Sequence, residues 1–132
     1  MSYSEKILNN KTEYPFDKWR TYFYGDEDDD EEDGGMEQYT PENCDKAQQI
    51  MDDLLEGLIG LGESAPEPAK VELFRIAIES LNELNDETGG SLIETVEREE
   101  LCELFDNICL SAGLNPKDYA GGEGIADVWR DW

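Results

Sequence analysis

The chain has 132 residues, enough for one domain with a single modest core. It carries 34 acids against 10 bases, a formal net charge of −24, and no histidine. This balance repels nucleic-acid phosphates and anionic membrane surfaces, and the missing imidazole removes the commonest general base, the Ser-His and Cys-His nucleophile pairs and the usual metal ligand. The expectation is therefore a protein that is not an enzyme, needs no cofactor or metal, and meets cations or cationic proteins. No stretch approaches the ~18 apolar residues of a membrane span, and "MSYSEKILNNK" lacks the apolar run of a signal peptide. A cytoplasmic location is the resulting expectation.

In chain order, the first distinctive segment is aromatic: "YPFDKWRTYFY", Tyr14 to Tyr24. It reads either as a short helix or as an extended arm, with its aromatics closing one end of the fold. Next comes "GDEDDDEEDGG", in which eight consecutive acids, Asp26 to Asp33, stand between glycines. Residues 25–36 read as a mobile acidic loop.

Three long helical patterns follow. In "TPENCDKAQQIMDDLLEGLIGLG", Thr40 can cap and Pro41 suits the first helical position. Cys44, Ala47, Ile50, Met51, Leu54, Leu55, Leu58 and Ile59 recur at helical period, and Gly60 and Gly62 supply the stop. In "SAPEPAKVELFRIAIESLNELNDETGG", Ser64 and Glu67 have the spacing of a capping box. Val71, Phe74, Ile78, Leu81 and Leu84 form a face widened by Leu73, Ile76 and Ala77, which implies more than one packing neighbour. Gly89 and Gly90 end it. In "SLIETVEREELCELFDNICLSAGLNP", Ser91 and Glu94 repeat the capping-box spacing, and Glu94 precedes Arg98 by the four residues that favour an ion pair. Ile93, Leu101, Leu104, Phe105, Ile108 and Ala112 face inward, Gly113 is a natural stop, and Asn115-Pro116 can cap a short helix ending near Tyr119. Trp129 and Trp132 would share a face on a final helical turn, packed on the body or offered to a partner.

Short connections make sequential helices antiparallel neighbours. The fold class is all-α: one domain, 1–132, with an antiparallel bundle of about three long helices, short terminal helices and an acidic loop. Of the three cysteines, Cys102 and Cys109 are seven apart on one helix, about 10 Å at ~1.5 Å rise per residue. That is beyond the ~7 Å Cα separation a disulfide allows. All three read as buried core thiols.

The acidic run has three readings. As a calcium loop it fails: starting at Asp29, the twelfth position is Thr40 where a bidentate glutamate belongs. As a plain solvated loop it needs no further account. As a recognition surface it joins Asp52, Asp53 and Glu56 on the first long helix and Glu97, Glu99, Glu100 and Glu103 on the third. Tyr22, Phe23, Tyr24 and Tyr39 flank it and supply apolar anchors. The candidate partner-binding set is Tyr22, Tyr24, Asp26, Asp28, Asp29, Asp30, Glu31, Glu32, Asp33, Tyr39, Asp52 and Asp53.

Two resemblances follow. Ser91, Ile93 to Val96, Arg98, Glu99 and the ending Arg130 to Trp132, with Tyr39, Pro41, Asp45 and Lys46 earlier, resemble an uncharacterised family of small bacterial helical proteins ending in Arg-Asp-Trp. The likeness implies a bacterial, all-helical, one-domain protein and carries no activity. By size, charge and helical class the chain is also similar to immunity proteins of bacterial toxin systems. That likeness implies an antitoxin that meets a cationic protein toxin, typically a nuclease domain, with no direct nucleic-acid or membrane contact. The alternative is a DNA mimic that sequesters a DNA-binding protein, which needs acids in two rows rather than in one loop. A carboxylate-only enzyme would need one acid pair singled out in a cleft, and none is.

Overall fold

Three apolar stripes become three long helices in the computed structural model, which describes residues 2–19, 41–88, 92–93 and 95–132. Among the described residues there is no strand. The fold class expected from the sequence, an all-α bundle, is what the chain adopts.

Helix α1, Tyr3–Asn9, begins at Ser2, whose hydroxyl accepts the Glu5 amide at 3.2 Å. A 3-10 turn, Asn10–Glu13, continues it, and Asn10 ties it to the third long helix by donating to Ser111 Oγ at 3.1 Å. Helix α2 spans Pro41–Leu61. It buries Cys44, Ala47, Met51, Leu54, Leu55 and Leu58, while Ile50 and Ile59 flank the core half-buried. Gly60 lies inside this helix; the stop is Gly62, whose φ of +89° lies in the left-handed region. Its amide closes on the Leu58 carbonyl at 3.1 Å, a single-bond left-handed cap.

Helix α3 is Glu67–Glu87. The capping box expected at Ser64 does not form. Pro66 has the extended φ and ψ of an N-cap, −60° and 146°, so Glu67 is the first helical residue rather than the third. Phe74, Ala77, Ile78, Leu81 and Leu84 are buried as the stripe requires, whereas Ile76 is exposed. Helix α4, Thr95–Ser111, buries Leu101, Leu104, Phe105, Ile108 and Cys109, and Phe74 of α3 meets Phe105 at 6.5 Å between ring centroids. It ends in a Schellman motif, with Leu114 N–H on Cys109 O at 2.9 Å and Gly113 N–H on Leu110 O at 3.0 Å. The stops at Gly89 and Gly90, the Ser91–Glu94 cap and the Glu94–Arg98 pair involve residues outside those described.

One buried charge was not anticipated. Lys70, 4% exposed, sits on the apolar face of α3 one turn before Phe74. Its ammonium donates to Glu63 O and Ala112 O, each at 2.8 Å, and lies 5.3 Å from the centre of the Tyr3 ring. One side chain thus fastens the α2–α3 connection to the C-terminal end of α4, where a cation is favoured by the helix dipole.

After α4 the chain runs through 3-10 turns at Pro116–Asp118, Ala120–Gly122 and Ala126–Val128. Asn115 caps the first by accepting the Lys117 amide at 3.0 Å, as its place before Pro116 suggested. The two tryptophans do not share a final helical turn, because Trp129 leaves helical geometry at φ −128°. Trp132 is buried and Trp129 is half-buried against the core. Asn82 of α3 clasps this tail, donating to Trp129 O and accepting from the Asp131 amide, both at 2.9 Å. None of the three cysteines forms a disulfide among the described residues; Cys44 and Cys109 are buried, and Cys102 is half-buried rather than fully in the core.

Candidate interaction surface

The N-terminal segment bridges α2 and α4. Phe16 and Trp19 are fully buried, with edge-on ring contacts of 5.1 Å from Tyr14 to Phe16 and 5.3 Å from Phe16 to Trp19. Residues 16–19 take the helical alternative of the two open from sequence, and these aromatics close one end of the bundle. Burying them fixes where their polar neighbours point. The Tyr14 hydroxyl donates to Asp52 Oδ1 of α2 at 2.9 Å, and Lys11 stands 3.6 Å from the same oxygen. Burial, then the bond to Asp52, pushes the Tyr14 hydroxyl well above the ordinary phenol range, so it remains a donor. On the other side Trp19 Nε1 donates to Glu100 Oε1 at 3.4 Å, and Lys18 reaches Glu100 Oε2 at 3.2 Å.

Between these contacts Asn107 donates to Glu13 Oε2 at 2.6 Å. The result is a shallow groove of about 210 Å³ lined by Glu13, Glu100, Glu103 and Leu104. Three carboxylates around one leucine suit a side chain with an apolar stem and a cationic head. The groove opens beside Trp19, close in sequence to the acidic run.

The structure does not bring the candidate residues together as one described site. Tyr22, Tyr24, Asp26, Asp28, Asp29, Asp30, Glu31, Glu32, Asp33 and Tyr39 lie outside the described residues, as does the whole 25–36 loop. Asp52 is turned toward the N-terminal segment and is held by Tyr14, its side chain 23% exposed. Asp53, its neighbour, is exposed and accepts Gln49 Nε2 at 2.8 Å. Glu56, Glu99 and Glu103 are exposed on α2 and α4. Glu97 is a correction: it is 6% exposed, in the first turn of α4, where the helix N-terminus favours a carboxylate. It is part of the interior and not of the acidic face. Glu13 went unnoticed in the sequence because nothing local marks it; Asn107, which holds it, is 94 residues away.

The distribution of positive charge decides what this surface can attract. Lys11 pairs with Asp52, Lys18 with Glu100, Lys46 with Glu42 and Glu87, Arg75 with Glu72 and Glu79, and Arg130 with Asp127. Lys70 is buried on backbone carbonyls. Each such surface pair contributes at most about 1 kcal/mol to stability. Together with Lys70, however, they engage six of the ten bases within the molecule, leaving a large excess of carboxylates. No helix of the described residues is long and apolar enough to cross a membrane, and no group of three or more His, Cys, Asp or Glu among them could hold a metal. No protein-family model matches the chain, and neither a curated protein nor a solved structure matches it.

Proposed function

We propose that this protein is an immunity protein: an antitoxin that binds a cationic bacterial toxin domain, most naturally a nuclease, and occupies its phosphate-binding groove with carboxylates. The observation that carries the reading is the charge distribution. A body with net charge −24 pairs five of its ten bases with its own acids and exposes a carboxylate groove next to buried aromatics. A nuclease groove is cationic because it must hold phosphates. Complementary fields steer such a pair within a Debye length of about 8 Å at physiological salt. They can lift association toward ~10⁸–10⁹ M⁻¹s⁻¹ at low salt. In this reading the run Asp26–Asp33 steers and plugs, while Glu13, Glu100 and Glu103 clamp a lysine or arginine in their groove.

The test is inhibition and complex formation with the basic toxin domain encoded beside this gene. A stable complex that abolishes toxin activity supports the proposal; no complex at low salt removes it. Deleting Asp26–Asp33 separates the proposal from DNA mimicry. A loop-plug inhibitor loses most of its binding, whereas a mimic with acids spread in two rows loses little.

A further inference from the structure

Asp106 of α4 lies under the C-terminal segment in an unusual setting. Its Oδ1 is buried without a hydrogen-bond partner. The carboxylate is met by the backbone amide of Ile125. Gly124 lies directly against it: a Cβ there would stand 2.8 Å from Oδ1 and 3.2 Å from Oδ2, and its φ of +117° is one that side chains rarely adopt. The tail therefore presents bare backbone to a carboxylate, with one amide for two oxygens. A water-excluded, donor-less carboxylate oxygen is costly while charged and much less so once protonated.

Of the surrounding charges, Asp127 acts in the same sense and the nearby arginines oppose it. From the tail, Asp127 faces Asp106 with like charge, although Arg130 pairs with Asp127. Along α4 the thiols of Cys102 and Cys109 both feel Asp106. Glu67 of α3 and Asp118 of the tail add negative charge next to Cys109, and Arg98 acts on Cys102 from one turn earlier in α4.

We propose that Asp106 is a proton-operated latch for the C-terminal strap: taking up one proton tightens the docking of residues 124–132 onto α4, and losing it loosens them. The latch is independent of the acidic face and of the antitoxin reading. Burial, chiefly, and then the charge of Asp127 hold the Asp106 carboxyl above its usual range, against the Ile125 amide, which pulls the other way. The docked strap therefore binds the proton more tightly than the undocked one. Docking is fullest below the ordinary aspartate value and declines as pH rises through the raised one. The three-helix body does not share the response, since straps and termini open separately from cores.

The experiment is amide hydrogen exchange by NMR on the full chain from below the ordinary aspartate value up to neutral pH, with protection factors corrected for intrinsic rates. Amides of 125–130 should lose protection progressively as pH rises from below the ordinary aspartate value through the raised Asp106 midpoint, while those of α3 stay level. In Asp106→Asn the strap should show no such step. A wild-type strap whose protection is flat with pH, or a step that survives in Asp106→Asn, overturns the latch. If Asp106→Asn does not dock its strap at all, the carbon chemical shift of the wild-type Asp106 carboxyl decides. Titration above the ordinary aspartate value upholds the proposal, and titration at or below that value ends it.

Discussion

Replacing Lys70 with methionine removes one ammonium while keeping an unbranched stem of similar bulk. In the native protein that ammonium makes two hydrogen bonds of 2.8 Å to backbone carbonyls. Glu63 is exposed, so water can replace the lysine at its carbonyl; the bond to Ala112 O is buried and its acceptor would be orphaned. An unsatisfied buried acceptor costs about 1–3 kcal/mol. Losing a cation at the end of α4 adds about 0.3–1 kcal/mol. The relief of not burying a charge offsets part of this, which leaves a net loss of roughly 1–3 kcal/mol. For a domain of this size that lowers Tm by roughly 4–10 °C. Thermal and urea unfolding followed by circular dichroism reads it directly. Because the contact is buried, the loss should persist at high salt. A variant within about 0.5 kcal/mol of wild type, or a loss that disappears in salt, would refute the reasoning that Lys70 fastens the two helix ends.

Three further outcomes follow from the same geometry. Trp19→Ala empties a fully buried site and should cost about 3–5 kcal/mol; Trp19→Phe should recover much of it, and equal stabilities for the two would contradict the packing role. Asn82→Ala removes both bonds of the tail clasp, so Trp129 emission should shift toward that of exposed tryptophan while the helical circular dichroism holds; an unchanged spectrum would show that the clasp is dispensable. Burial pushes the Cys109 thiol up to about 12, so in native protein it should resist a thiol reagent at neutral pH for as long as the fold survives, with half-buried Cys102 labelling first. Rapid labelling of Cys109 would mean that α4 opens easily.

The helices were legible because their signal is local. The apolar spacing of α2, α3 and α4 depends only on 3.6 residues per turn, and most of the core residues it names are buried, with Ile50, Ile59, Val71 and Leu73 half-buried and Ile76 turned to solvent. Details failed where a competing residue or a distant partner decided. Pro66 outranked Ser64 as the start of α3, and Gly62, not Gly60, stopped α2. Glu97 reads as a solvent-facing charge and nothing in the pattern marks Lys70, since a sequence does not show that a helix N-terminus or a carbonyl cluster awaits them inside. The tail was misjudged because its geometry is set by Asn82, 47 residues before Trp129. Of the acidic surface, the α2 and α4 carboxylates were visible as polar faces. The groove was not, because it forms only when the buried aromatics of the N-terminal segment carry Glu13 to α4.

Affinity for a basic protein domain encoded beside this gene, measured by titration calorimetry at low and at high salt, bears most directly on the antitoxin reading. The expected result is a tight complex at low salt, weakened at high salt and weakened again by neutralising Glu13, Glu100 and Glu103 together to glutamine. Binding that ignores both salt and these three substitutions, or no binding at all, would contradict it.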